Sequence, residues 1–129
     1  MIVVDTSALL SILQGEAEAS ACFAILNAEP DVLMSAATLT EALIVAGRRN
    51  RGTAMAALID DLGIEIVSVT PSAAKRAASA YARWGKGVHP ARLNFGDCFS
   101  YELAQASGSP LLYVGSDFSQ TDIASAPSA

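Results

Sequence analysis

Three short apolar runs, Ile2-Val3-Val4, Val32-Leu33-Met34 and Leu111 to Val114, and one weakly alternating run, Ile64 to Val69, recur along the chain. One or two helix-patterned stretches separate each run from the next, and this alternation limits the fold more than any other feature. Strands joined through helical crossovers lie parallel, and an unbroken apolar run marks a strand covered on both faces. The expected fold class is therefore α/β, with a central, mainly parallel sheet flanked by helices and right-handed crossovers.

The intervening segments carry helix signals. Ser7 to Gln14 reads as a short helix broken by Gly15. Glu16 to Ala28 places Ala19, Cys22, Phe23 and Leu26 at helical spacing, and Ala36 to Arg49 carries Leu39, Leu43, Ile44 and Ala46 as an inner stripe. Thr53 is positioned to cap a helix through Leu62, with Gly63 just past its end. Thr70-Pro71 opens another helix to Trp84, with proline in the first turn. After a Gly- and Pro-containing loop over 85–94, Gly96-Asp97 opens a last helix to about Ala106, closed by Gly108-Ser109-Pro110. From Gly115 the pattern is irregular, and Ser125 to Ala129 are expected to fray. No repeat or linker divides the chain, so residues 1–129 read as one domain, long enough to bury a core without disulfide or metal staples.

Composition narrows the function classes. With 52% hydrophobic and 6% aromatic residues, the core is expected to be aliphatic. No uncharged apolar stretch is long enough to span a membrane, and the N-terminal run lacks the basic flank and cleavage site of a secretory signal. The expectation is a cytoplasmic protein with no membrane partner. Cys22 and Cys98 lack metal-ligand spacing and fall in apolar helical patterns, as buried reduced thiols do. His89, the only histidine, lies in the Gly/Pro loop and reads as a solvated side chain, which argues against a serine–histidine or cysteine–histidine mechanism. The net charge of −5 is unevenly spread: all eight basic residues lie between Arg48 and Arg92. An acidic protein can thus still present a local basic face.

The acids fall where an α/β sheet builds its sites, beyond the carboxyl ends of the strands. Asp5 follows the first strand, and Glu41 lies one turn inside the helix after the second. Asp97 sits at the N-terminus of the last long helix, and Asp117 follows the fourth strand. Each has a structural explanation: Asp5 as an N-cap, Thr38-Leu39-Thr40-Glu41 as a capping box, Asp97 as a complement to the helix dipole, Asp117 as a turn acid. Four separate caps at one end of a sheet are a different matter. Carboxylates gathered there must share protons or hold a cation, and an all-oxygen donor set suits Mg²⁺ or Mn²⁺. Metal-assisted phosphodiester hydrolysis is the matching reaction class.

The segments IVVDTSALL, TEALIVA around Glu41, LNFGDCFSYELA around Asp97, and PLLYVGSDFSQTDI together resemble a PIN domain. More narrowly, the chain resembles the VapC toxin ribonucleases of bacterial type II toxin–antitoxin pairs, over nearly its whole length and in the same order. The resemblance implies a compact three-layer α/β fold and an acidic, Mg²⁺- or Mn²⁺-dependent endoribonuclease site. By motif, Asp5, Glu41 and Asp97 match the best-defined acids, with Asp5 and Asp97 as metal ligands. Thr6 or Ser7 would orient a carboxylate, and Asn94 would support the same edge. Many PIN domains carry T-x-D-x-x-F after the last core strand; aligned on Phe118, that acid is Gly115 here. Asp117, or alternatively Asp122, would have to substitute. The resemblance further implies a homodimer, an RNA substrate and a VapB-type antitoxin. Arg48, Arg49 and Arg51 are candidates to grip RNA phosphate or an antitoxin carboxylate, beside their reading as a solvated helix end. Two alternatives stay open: a non-catalytic PIN-like binding module and a metal-dependent nuclease acting on DNA.

Overall fold

The computed structural model describes residues 1–126. Its elements follow the expected alternation: β1 (Ile2–Val4), α1 (Thr6–Leu13), α2 (Ala19–Ala28), β2 (Val32–Ser35), α3 (Ala36–Arg48), α4 (Gly52–Asp61), β3 (Glu65–Val67), α5 (Pro71–Trp84), α6 (Phe95–Ser107) and β4 (Leu111–Leu112). A 3-10 turn over Phe118–Gln120 follows. The strands form one four-stranded sheet in the order β3-β2-β1-β4, parallel throughout.

Alternation along the strands sorts their side chains into two cores. Ile2, Val4, Val32 and Met34 face α1–α4, packing on Leu9, Leu26, Met55 and Ile59. Val3 and Leu111 face α5 and α6, against Ala77, Trp84, Cys98 and Tyr101. Burying each of the larger aliphatic side chains stabilises the fold by about 1.5–3 kcal/mol. The first core is aliphatic, as the composition implies. The second is not, because Trp84, Tyr101 and Phe118 all lie in it. The chain moves outward from β1 to β2 to β3, then returns across the sheet to β4 on the other side of β1. Reversing direction under a right-handed rule sends the last pair of helices to the opposite face. The result is three layers: α1–α4, the sheet, and α5–α6.

Several boundaries differ from expectation for physical reasons. β3 spans only Glu65–Val67 and is an edge strand, with Glu65 and Ile66 exposed. β4 stops at Leu112. α2 begins at Ala19, after a turn over residues 16–18. α4 begins at Gly52 with Arg51 in the cap position, so Thr53 is already inside the helix; Gly63 does take the left-handed conformation past its end. α6 starts one residue earlier than expected because Asn94 caps it. Ser125 and Ala126 are not loose: Ser125 bridges Leu111, and the Ala126 amide donates to the Leu111 carbonyl at 2.9 Å. The rest of the segment expected to fray, 127–129, lies outside the described residues. Both cysteines are free and buried, with burial raising each thiol's pKa. His89 departs from the solvated expectation. It packs edge-on against Trp84 at 4.7 Å, and its Nδ1 accepts the Ala91 N–H at 3.0 Å, which makes it a structural part of the loop.

Candidate active site at the carboxyl edge of the sheet

In a parallel sheet every strand ends at the same edge, and each following helix begins there. Asp5 is the residue between β1 and α1. The residue is only 4% exposed, and its Oδ2 accepts the Ser7 N–H at 3.1 Å and the Ser7 hydroxyl at 2.7 Å. The other oxygen, Oδ1, accepts the Ser100 hydroxyl from α6 at 2.6 Å. Ser100 spends its single proton on Asp5, so the Thr38 hydroxyl, 3.2 Å away, donates to Ser100. Ser7 in turn accepts the Val114 N–H at 3.0 Å, which ties the end of β4 to the same carboxylate. Asp5 is thus an N-cap and the hub of a network joining β1, α3, α6 and the chain after β4.

Glu41 is held from a different direction. Thr6 donates to Oε1 at 2.8 Å, from the residue next to Asp5. Oε2 lies against the first turn of α6, where a Cβ on Gly96 would come within 2.0 Å of it. Any side chain at position 96 would displace the Glu41 carboxylate from this place. Burial raises the Glu41 pKa and repulsion from Asp5 adds to the rise, while the Thr6 hydrogen bond opposes both. The Thr38–Glu41 capping box does not form. Ser35 caps α3, accepting the Ala37 N–H at 3.2 Å, so Thr38 already points into the core with no exposure.

The capping box of this protein is at α6. Asn94 Oδ1 accepts the Asp97 N–H at 2.8 Å, and Asp97 Oδ2 accepts the Asn94 N–H at 3.0 Å. Asn94 thereby fixes the Asp97 side chain. Burial lifts Asp97 to about 7, the Asn94 N–H works against that, and repulsion from Asp5, Glu41 and Asp117 reinforces it. The other three expected acids therefore all act on Asp97, and Asp5 acts on Glu41 as well. Asp117 is exposed and stands at the start of the 3-10 turn.

Asp122, the alternative fourth acid, is engaged elsewhere. It accepts the Tyr101 hydroxyl at 2.5 Å and lies 3.6 Å from Arg83, and it is not among the charges that act on Asp97. Arg48, Arg49 and Arg51 also lie away from the acids. α3 starts at the carboxyl edge and runs back along the sheet, and at ~1.5 Å per residue Arg48 is about 10 Å beyond Glu41. Arg51 reaches Leu13 at the end of α1, donating to its carbonyl at 3.2 Å. Sequence reasoning passed over Ser100 and assigned Thr38 to a capping box, whereas its hydroxyl bonds Ser100. Ser100 lies three residues after Asp97, the spacing that puts two helical side chains on one face.

Desolvated carboxylates that repel one another, with no ion-paired cation at any of the four among the described residues, match the needs of a hard divalent cation. No three His, Cys, Asp or Glu side chains among the described residues draw close enough to form a full ligand set.

The molecule is an all-parallel α/β sheet that brings Asp5, Glu41, Asp97 and Asp117 to its carboxyl edge. The family model for the PIN domain matches residues 2–124. Two proteins of Mycobacterium tuberculosis, ribonuclease VapC42 and ribonuclease VapC30, are 43% and 42% identical over 126 residues, covering 95% of this chain and 96% of each relative. Among solved structures, Mycobacterium tuberculosis VapC20, described as a sarcin–ricin loop cleaving toxin, superposes with a TM-score of 0.78 at 23% identity, covering 98% of both chains. A toxin–antitoxin complex from Klebsiella pneumoniae gives a TM-score of 0.72 at 18% identity, covering 95% of this chain and 93% of that one. The chain belongs to the PIN domain family, in its VapC branch.

Proposed function

We propose that the protein is the toxin of a VapBC-type toxin–antitoxin pair, a Mg²⁺-dependent endoribonuclease whose site is Asp5, Glu41, Asp97 and Asp117. Mn²⁺ is the alternative ion. The observation that carries this reading is the placement of Asp97, a partly buried carboxylate at the carboxyl edge on which Asp5, Glu41 and Asp117 all act; burial is the main cause of its raised pKa and their repulsion adds to it. Asp5 and Asp97 are the proposed metal ligands. The bound ion would neutralise the acids and offset charge developing on the scissile phosphate.

The chain's own groups supply the rest. Ser7 and Ser100 pin both oxygens of Asp5, so its remaining lone pairs point in fixed directions. Asn94 does the same for Asp97, and Thr6 for Glu41. Glu41 keeps Oε2 free of hydrogen-bonded partners among the described residues, and its raised pKa suits it to take a proton there from the attacking water. Asp117 adds negative charge at the open side, where an ion or its waters would meet it.

The kinship with VapC ribonucleases supports RNA as the substrate, and the likeness to a toxin–antitoxin complex supports a VapB-type antitoxin as partner. A homodimer acting in the cytoplasm completes the reading; no helix among the described residues is long and apolar enough to cross a membrane. Arg48 and Arg49, exposed and remote from the acids, are proposed antitoxin contacts rather than substrate contacts. Cleavage of structured RNA and matched DNA by the purified protein, with Mg²⁺ or with EDTA, tests the assignment. RNA is expected to be cut only with Mg²⁺, and not by Asp5→Asn or Asp97→Asn. Activity that survives chelation or either substitution would sink the metal-nuclease assignment, and preferential cutting of DNA would move the substrate class.

A further inference from the structure

Next to the acids the surface turns apolar. Phe95, first residue of α6 and two before Asp97, is 77% exposed, more than any other large apolar side chain among the described residues. Its ring meets Phe99 edge to face at 5.1 Å, which leaves a ring face open. Beside it, between α5 and α6, lies a recess of about 620 Å³ lined by Ala78, Tyr81, Lys86, Asn94, Phe95 and Phe99. That volume falls in the usual range of small-molecule sites, ~300–1,000 Å³. Asn94 belongs to both places, because it lines the recess and also holds Asp97. Lys86 is exposed at the rim and makes no ion pair among the described residues.

Folding does not account for Phe95. The first position of a helix has no need of an aromatic residue, and this one buries little of its surface. Substrate binding gives it a use. With net charge −5 and acids at the site, the protein gains from uncharged contacts to a polyanion beside whatever its local basic residues supply. Aromatic rings make such contacts by stacking on unpaired bases, whatever their sequence.

We propose that this recess receives an unstacked nucleobase of the RNA, held against Phe95, one nucleotide or so from the phosphate at the acid edge. Lys86 then meets the neighbouring backbone phosphate. The proposal rests on the ribonuclease reading above. It assigns a single-stranded segment, a loop or bulge, as the part of the RNA that is gripped. Continuity with the acid edge through Asn94, and the lone cation at the rim, favour a nucleotide over a second copy of the chain.

The test uses fluorescence anisotropy with a labelled single-stranded RNA dodecamer and an abasic dodecamer of the same backbone. Both are titrated with full-length protein in Mg²⁺, in a Glu41→Gln background that keeps Asp5 and Asp97. Phe95→Ala is expected to weaken binding of the base-bearing RNA about tenfold and to leave the abasic RNA unchanged. Phe95→Tyr should restore binding. Lys86→Gln should weaken both probes alike and lower the salt slope by about one. An equal effect of Phe95→Ala on both probes, or none, overturns the proposal. So does a change in molar mass by light scattering with RNA affinity intact, which would make Phe95 a contact between copies. If the unsubstituted protein fails to cleave any RNA with Mg²⁺, the ribonuclease reading falls and takes this one with it. If it cleaves RNA and Phe95→Ala binds like its parent, only the stacking site falls.

Discussion

Asp97→Asn is expected to stabilise the metal-free protein above neutral pH while abolishing RNA cleavage. Burial and three neighbouring carboxylates lift Asp97 from 3.8 to about 7. At ~1.36 kcal/mol per pKa unit, the penalty for ionising it in the folded state is at most about 4 kcal/mol. The side chain is part-exposed, so solvent screening brings the expected penalty to about 2 kcal/mol. The sign follows from linkage. Below pH ~4 Asp97 is protonated in both folded and unfolded chains, and the stability it contributes is fully present. As pH rises toward 7, the unfolded chain releases its proton while the folded one keeps it, and that stability is lost. Asparagine never ionises, and its side-chain oxygen can still accept the Asn94 N–H that Asp97 accepts at 3.0 Å. Urea unfolding followed by circular dichroism, in EDTA at intervals from pH 4 to pH 8, provides the measurement. Wild type should lose about 2 kcal/mol relative to the variant over that range, with a residual slope in both from Glu41, whose pKa is also raised. Adding Mg²⁺ at pH 8 should raise the unfolding midpoint of wild type and leave the variant nearly unchanged. A variant less stable than wild type at pH 8, or an identical pH slope in the two, would refute the account of the site as a repelling cluster.

Three further substitutions separate the parts of the site. Ser100→Ala removes the 2.6 Å hydrogen bond to a nearly buried carboxylate and strands the Thr38 hydroxyl, so it should cost about 1.5–3 kcal/mol in urea unfolding and lower kcat as well. Gly96→Ala adds a Cβ within 2.0 Å of Glu41 Oε2, so cleavage should fall at least about tenfold, while melting temperature holds or rises because alanine favours the helix. Asp117→Asn should reduce cleavage and Mg²⁺ affinity, whereas Asp122→Asn should leave cleavage intact, since Asp122 serves Tyr101 and Arg83 instead. Equal effects of these last two on cleavage would show that the acid edge has been drawn wrongly.

The sheet, and the placement of Asp5 and Glu41 at one edge of it, were legible because they depend on order along the chain. Alternating apolar runs and helices imply parallel pairing, and parallel pairing puts the residues after β1 and β2 at one edge. What stayed hidden depends on contacts across the chain. Asp117 and Asp122 are five positions apart in the same irregular stretch, and pattern alone could not choose between them. The Tyr101 hydroxyl, from α6, takes Asp122. Thr38 and Glu41 match a capping box in sequence, yet Ser35 reaches the helix start first and Glu41 pairs with Thr6 instead. Ser100 is an ordinary helical serine until Asp5, 95 residues away, is seen to accept its proton.

Capping and chemistry were rival explanations for these acids, and the fold shows why they need not be. Because every strand is parallel, the helices that follow β1 and β2 both begin at the same edge, and the loop between α5 and α6 brings the N-terminus of α6 there as well, so Asp97 meets Asp5 and Glu41. Helix dipoles favour a negative charge at such ends by about 0.3–1 kcal/mol each, which is less than the rise at Asp97 represents. Capping therefore explains why Asp5 and Asp97 are tolerated, but not why the cluster carries Glu41 and Asp117, which cap no α-helix. Asparagine at Asp5 or Asp97 would keep the cap without the repulsion, so retaining aspartate costs stability that a purely structural role would not require. That excess charge is what a divalent cation would neutralise. Substitution by asparagine separates the two roles cleanly: the cap survives, the charge is gone, and any loss of cleavage belongs to chemistry alone.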